Sequence, residues 1–293
     1  MILSPQQERL LQNLLPLARL ATSGKAGKMA IRARTHCLIA GPSGAGKSHL
    51  IRHLASVMQL PLWESCVSSW IPMGGRGSPT WPLLAAWIDK HPEGIIFLDE
   101  LDKLDGISDW TQCIRLEIHD LLDFRVPHGF RIAEELLSES FWEKSDDRED
   151  EARNRVGIRL RNRVMIVGAG AWQRAWTGNL TRIGYQDSGQ SEPSRQQMLG
   201  QISAEILQRF RSDVLLLDPL KESDFRLIAG HIGQTLPDSI RGAFTKLAGP
   251  AIIRAVEGQL GMRIFEEIMA DAMLSARISA APEHADGSRN HLS

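Results

Sequence analysis

Apolar residues recur along this chain in two rhythms. After Ser4-Pro5, a pairing suited to an N-cap and a first helical position, Leu10, Leu11, Leu14, Leu15, Leu17 and Ala18 fall at helical spacing. They predict a helix over residues 4–21, followed by a flexible connector, TSGKAGK. The second rhythm is one of short, uninterrupted apolar runs. They lie at about Thr35 to Ala40, in LPLWESCV, in GIIFLDE (Gly94 to Glu100), in RVMIVGAGAW (Arg163 to Trp172) and in DVLLLDPL (Asp213 to Leu220). Runs that are apolar on both faces, alternating with helical stripes such as Leu50, Ile51, Leu54, Ala55 and Met58, argue for a parallel sheet covered by helices. Beyond Pro219 only the helical rhythm remains, at about 223–232, 238–247, 251–257 and 262–278. The expected architecture is therefore an α/β domain over 1–217 and a small all-α domain over 218–278. The tail, 279–293, has too little to bury and is expected to be disordered.

Composition narrows the class. Apolar residues make up 43% and charged residues 24% of the chain, the balance of a globular protein. The net charge of −1 gives no overall basic field, so only a local patch could favour nucleic acid. Cys37, Cys66 and Cys113 are scattered and odd in number, which fits reduced thiols rather than a disulfide framework or a zinc site. The first residues lack the basic-then-apolar order of a signal peptide, and no apolar run approaches membrane-spanning length, so a cytoplasmic location is expected. A charged insertion at about 138–163 stands apart. Its acids (Glu143 to Glu151) come first and its arginines (Arg153 to Arg163) follow. The blocks either pair with each other or form a binding surface.

The chemistry is concentrated in GPSGAGKS, which follows an apolar run directly. Gly41, Gly46, Lys47 and Ser48 complete the pattern G-x-x-x-x-G-K-[ST]. Several backbone N–H groups must approach a phosphate chain closely, which favours glycine, and the helix that follows aims its positive end at the anion. The loop Gly41, Pro42, Ser43, Gly44, Ala45, Gly46, Lys47 and Ser48 is the expected ATP-binding segment. Lys47 is placed for the β- and γ-phosphates and Ser48 for Mg²⁺. GIIFLDE supplies the second half. Asp99 suits the metal side, and Glu100 can polarise a water for in-line attack.

These motifs, GPSGAGKS with FLDELDK, resemble the AAA+ ATPases, and most of all the ClpX/HslU-type unfoldase branch. The resemblance covers roughly Leu11 to Leu274. It implies a P-loop NTPase sheet flanked by helices, a helical lid domain, Mg-ATP hydrolysis and a ring oligomer, a hexamer in that branch. Along the chain, GAGAW (Gly168 to Trp172) resembles the first sensor segment. EILQRF (Glu205 to Phe210) resembles the helix end carrying the arginine finger, which makes Arg209 the candidate and Arg211 its competitor. GMR (Gly261 to Arg263) resembles the second sensor motif, which makes Arg263 an ATP-binding candidate. Lys47, Glu100 and Arg209 are thus the expected catalytic residues, and Ser48 and Asp99 the metal ligands.

The departures from that branch are informative. The first sensor segment ends in Gly168-Ala169-Gly170 without the polar residue often found there, leaving Gln173 as a substitute. The central loop, MGGRGSPTW, has Gly74-Gly75-Arg76-Gly77 where that branch carries an aromatic-apolar pair, and Trp70 and Trp81 lie too far along to replace it. Arg76 becomes the expected partner contact, with Arg153 to Arg163 adding to the same surface. No zinc-binding N-terminal domain like that of the branch is expected, and RIGYQDSG (Arg182 to Gly189) only faintly resembles a peptidase-docking loop. The expected function is an ATP-hydrolysing ring that remodels a protein or nucleic-acid partner. The alternatives are an ATP-gated scaffold with negligible turnover and a DNA-associated regulator.

Overall fold

The computed structural model describes residues 2–26, 30–106, 108–127, 145–172, 195–199, 201–258 and 260–280. Gln173, the Arg182–Gly189 segment, residues 138–144 of the charged insertion and the tail beyond 280 lie outside the described residues. Two compact units divide the chain. One comprises Gln6–Asp218; the other comprises Ile2–Pro5 together with the chain from Pro219.

In the first unit, α1 (Pro5–Thr22) precedes β1 (Cys37–Ala40), α2 (Lys47–Met58) and β2 (Leu62–Cys66). α3 (Thr80–Lys90), β3 (Gly94–Asp99), a 3-10 turn (Leu101–Asp105) and α4 (Asp109–Leu122) follow. The chain resumes as α5 (Ser145–Arg163), β4 (Val164–Gly170), two short helices, α6 (Arg195–Met198) and α7 (Ala204–Leu207), and β5 (Val214–Leu216). The five strands form one parallel sheet in the order β2-β3-β4-β1-β5. β1 and β4 are buried along their whole length, and β3 along all but its last residue. That is why these stretches read as unbroken apolar runs. Leu38, Ile96, Leu98 and Ile166 meet Leu84, Ile88, Ile114 and Ile118 from the covering helices. Trp70 and Trp81 are sealed in the same core.

The described part of the charged insertion is helix, not surface loop. Its arginines serve as scaffold: Arg155 and Arg159 both hold Asp89 of α3, Arg163 donates to the Thr22 carbonyl, and Arg153 pairs with Glu149 one turn back. Arg155, Arg159 and Arg163 thus dock α5 onto the fold, while the Arg153–Glu149 pair is one of the expected contacts between the acidic and basic blocks.

The second unit is helical throughout its described residues: α8 (Glu222–Thr235), α9 (Asp238–Gly258), a 3-10 turn (Gly261–Arg263) and α10 (Ile264–Ala280). Two helices expected on either side of Gly249-Pro250 are one. Proline removes a single intrahelical hydrogen bond, but Phe244, Ala248, Ala251, Ile252 and Ala255 on both sides of Pro250 bury into one core with Phe225, Ile228 and Phe265. Residues Ile2–Pro5, expected to belong with the α/β domain, group with this unit, where Ile2 packs on the same core.

Candidate functional site

The site grows from the carboxyl ends of three adjacent strands. β1 runs out at Ala40 and turns immediately at Gly41, where a Cβ would sit 2.5 Å from the Leu217 carbonyl oxygen; only glycine clears that strand. Gly44 and Gly46 have φ of 79° and 85°, the left-handed turns that wrap the loop before α2 begins at Lys47. Gly46 offers no side-chain cap, so the first N–H groups of α2 stay available to an anion.

Lys47 folds back over this loop. Its Nζ donates to the Gly41 carbonyl at 2.6 Å and the Pro42 carbonyl at 3.0 Å. Burial lowers its pKa, and Asp99, Asp102 and Glu100 oppose that effect. At the next residue, the Ser48 hydroxyl donates to Asp99 Oδ2 at 3.0 Å, while Asp99 Oδ1 accepts from the Glu100 N–H at 2.9 Å. Phosphate loop and β3 are joined through that contact across the end of β4.

The glycines of β4 make the crossing possible. A Cβ on Gly168 would collide with Leu101, and one on Gly170 would lie 2.7 Å from Asp102 Oδ1. Buried Asp102 also accepts from the Ala171 N–H at 3.1 Å. The absence of a polar residue at this strand end thus has a steric reason: the turn after β3 lies directly on it.

Glu100 takes φ 60° and ψ 34°, an uncommon conformation for a non-glycine residue, and its carboxylate turns toward β2. There it accepts from Cys66 Sγ at 2.9 Å and from Ser68 Oγ. These two hydrogen bonds, the Cys66 contact first, hold its pKa below the usual glutamate value. Both donors sit on one carboxylate oxygen, Oε2.

The loop also has a support that the sequence reading missed. Gln7 of α1 is fully buried, and its amide donates to the carbonyls of Ala45 at 3.0 Å and Gly46 at 3.3 Å. A phosphate loop that turns its N–H groups inward turns carbonyls outward, and Gln7 satisfies two of them. A glutamine on an apolar helical stripe gave no signal of this.

The remaining candidates stand elsewhere. Arg209 forks onto Asp123, with Nε to Oδ1 at 2.7 Å and Nη2 to Oδ2 at 2.8 Å. Arg125 also pairs with Asp123. Two residues on, the Arg211 N–H donates to the His36 carbonyl at 2.9 Å. His36 precedes β1 and Gly41 follows it, so the Arg209 region and the phosphate loop lie at opposite ends of that strand, ~16 Å apart at ~3.3 Å per residue. Arg263 is exposed in the 3-10 turn of the second unit. Arg76 is exposed on a loop between β2 and α3.

The donor set fits the nucleotide and metal that such a loop implies. Hydroxyl and carboxylate oxygens of Ser48 and Asp99 are hard ligands of the kind Mg²⁺ takes, and a cation there would offset the crowding of Asp99, Glu100 and Asp102 around one lysine. Residues 37–188 match the family model described as ATPase family associated with various cellular activities (AAA). The chain belongs to the AAA ATPase family. The match opens at the first residue of β1 and takes in every site element through β4. As an AAA chain it is a P-loop ATP hydrolase with the α/β fold described above. Among the described residues no helix is long and apolar enough to cross a membrane.

Proposed function

We propose that this AAA chain is a Mg²⁺-dependent ATPase of the ClpX/HslU type that works as a ring, most simply a hexamer, and remodels a macromolecular partner. The observation that carries this reading is the separation of Arg209 from the chain's own phosphate loop along β1, while Lys47, Ser48 and Asp99 meet at that loop, with Glu100 next to Asp99. An arginine at the far end of the strand serves hydrolysis only at a neighbour's nucleotide. That requires head-to-tail assembly, which closes as a ring.

In this mechanism the loop N–H groups and Lys47 bind the phosphates, and Ser48 and Asp99 hold the metal. Mg²⁺ supplies charge neutralisation on the β- and γ-phosphate oxygens. Glu100, once released from Cys66 and Ser68, orients and deprotonates the attacking water, and the neighbour's Arg209, once released from Asp123, stabilises the charge on the transferring phosphoryl group. Because both groups begin engaged within the chain, basal turnover is slow and assembly speeds it. Arg263 acts from the helical domain, proposed over 218–278, as the nucleotide sensor, and Arg76 meets the partner. Steady-state hydrolysis against a Glu100→Gln control tests the reading. The expected result is turnover that rises with protein concentration and is absent in the variant. Turnover per chain that does not change with concentration, from a species that light scattering shows to be monomeric with ATP and Mg²⁺, would overturn the ring.

A further inference from the structure

Arg32 carries a charge for which the described chain supplies no acceptor. Its guanidinium carbon stands 3.3 Å above the centre of the Phe124 ring. Nε, Nη1 and Nη2 are all shielded from solvent, and among the described residues none of them has a hydrogen-bond partner. Buried guanidinium donors are ordinarily paired, because leaving them unmet forfeits their hydration with nothing in return. The surroundings enlarge the deficit. Burial first, and then the charge of Arg161 in the last turn of α5, push the Arg32 pKa down to about 10, so it remains a cation at neutral pH. Arg34 is a further cation close by: it donates to the Phe210 carbonyl at 3.4 Å, and both it and Arg32 act on His36.

The fork is held in place from below. Phe124, in the turn after α4, takes φ 60°, an uncommon conformation for an aromatic residue. Its ring meets both Arg32 and the buried His36, whose ring centre is 4.7 Å away. The ring covers one face of the guanidinium plane and leaves its N–H edge, the edge that meets oxyanions in a fork. Arg32 is partly exposed as a residue and Ile31 before it is 86% exposed, so a ligand reaches the site from solvent without entering the core. The arginines next along already have partners: Arg209 and Arg125 share Asp123, and Arg211 pairs with Asp213. The chain's own nucleotide is no partner either, since Arg32 precedes β1 and the phosphate loop follows it.

We infer that Arg32, with Arg161 and Arg34 nearby, forms an anion site at the amino end of β1, separate from the chain's own nucleotide site, and that it takes a phosphate group. A carboxylate would answer Arg32 alone, whereas a phosphate monoester brings about two negative charges on three oxygens, enough for several donors. A nucleic-acid strand calls for a track of free cations, and Asp123 already takes Arg125 and Arg209. The phosphate is carried either by a small molecule in solution or by the nucleotide of a neighbouring copy. The second source rests on the ring reading; the first does not.

The test uses the full chain as its Lys47→Ala form, which weakens the phosphate loop, with inorganic pyrophosphate as the probe and the urea midpoint at constant ionic strength as the readout. Pyrophosphate is expected to raise the midpoint, and its apparent affinity should fall about tenfold or more in Lys47→Ala/Arg32→Met. Methionine keeps a stem on Phe124, so without the probe this variant should be at least as stable as its parent, an unmet buried charge having gone. Arg32→Lys keeps the charge without the fork and should fall between the two. The nucleotide source is read separately, by light scattering of Glu100→Gln with ATP and Mg²⁺. There, Glu100→Gln/Arg32→Met should need about tenfold more protein to assemble if the phosphate is the neighbour's. Dependence on Arg32 in the first readout assigns the small molecule, and in the second alone the neighbour's nucleotide. No dependence in either overturns the inference, as does an Arg32→Met chain less stable than its parent without the probe, which would make Arg32 a packing residue. Where Glu100→Gln itself stays monomeric, the ring reading fails and the pyrophosphate contrast alone decides.

Discussion

The two ends of β1 are built on opposite principles. At its carboxyl end, Gly41 to Ser48 gather charged and polar groups on one loop, with Lys47 held by main-chain carbonyls and Ser48 by Asp99. At its amino end, the charged and titratable groups are held by the chain's own side chains and carbonyls. Arg209 is clasped by Asp123, Arg32 lies over the Phe124 ring, and His36 is buried with its Nε2 against the Leu122 carbonyl. One end presents its chemistry to a ligand, and the other stores it in an ion pair. The difference teaches why the proposed role of Arg209 is one in trans: its ion pair and the chain's own phosphate loop lie apart by the length of one strand.

The sharpest way to break that comparison is to remove the stored half. Arg209→Ala is expected to bind ATP normally and lose turnover by about a thousandfold, the lower range for an arginine finger. Mixed with Glu100→Gln, it should recover part of the activity, because some interfaces then pair an intact Arg209 with an intact Glu100. No recovery on mixing, measured as phosphate release, would mean the two residues do not meet across an interface.

The presenting half comes next. Lys47→Ala is expected to lower nucleotide affinity about a hundredfold or more, as one charge-assisted phosphate contact is lost in a preorganised site. Glu100→Gln should keep wild-type affinity. Equal affinity of Lys47→Ala and wild type for a fluorescent ATP analogue would remove the loop from the site.

The contrast also explains what was legible in the sequence. The phosphate end was readable because its parts are local. Eight consecutive residues make the loop, and an apolar strand ending in Asp99-Glu100 makes its partner. The sheet itself was readable because strands buried on both faces leave unbroken apolar runs. What escaped depends on pairs distant in sequence. Asp123 and Arg209 are 86 positions apart, Gln7 and Ala45 are 38, and Ser68 and Glu100 are 32. No spacing rule announces such pairs. Arg32 was missed for a related reason: an arginine just after a flexible connector looks ordinary until Phe124 is seen beneath it. For the arginines of α5 the sequence left pairing and a binding surface both open, since a block of cations does not reveal that Asp89 and a carbonyl hold Arg155, Arg159 and Arg163.

A subtler change sharpens the stored half rather than deleting it. Burial raises the Asp123 pKa, but hydrogen bonds from Arg209 and Arg125 outweigh it and hold the carboxyl below its ordinary value. Asp123→Ala should therefore cost about 2 kcal/mol of stability in urea, since it leaves a partly buried guanidinium with the Glu205 carbonyl but no carboxylate. It also frees Arg209, so turnover per chain should equal or exceed wild type at low protein concentration. A loss as deep as that of Arg209→Ala would show that Asp123 positions the arginine instead of restraining it.

The smallest expected effect concerns protons. His36 is fully buried, and desolvation first, then the nearby Arg32, lowers its pKa from 6.5 to about 3. The folded chain therefore keeps it neutral where the unfolded chain protonates it. Above an unfolded pKa of about 6.5 this difference costs nothing. Below it the unfolded state binds the extra proton, and stability falls by about 1.4 kcal/mol per pH unit until the folded pKa is reached. Between pH ~7.5 and pH ~5.5 this one group should remove about 1.4 kcal/mol. His36→Gln can still offer the Leu122 carbonyl an amide N–H and has no proton to gain, so its urea stability should fall by that much less over the same interval. Parallel pH profiles for wild type and His36→Gln would show that His36 is not held neutral at this end of β1, and that charge there is balanced by groups other than the arginines and Asp123.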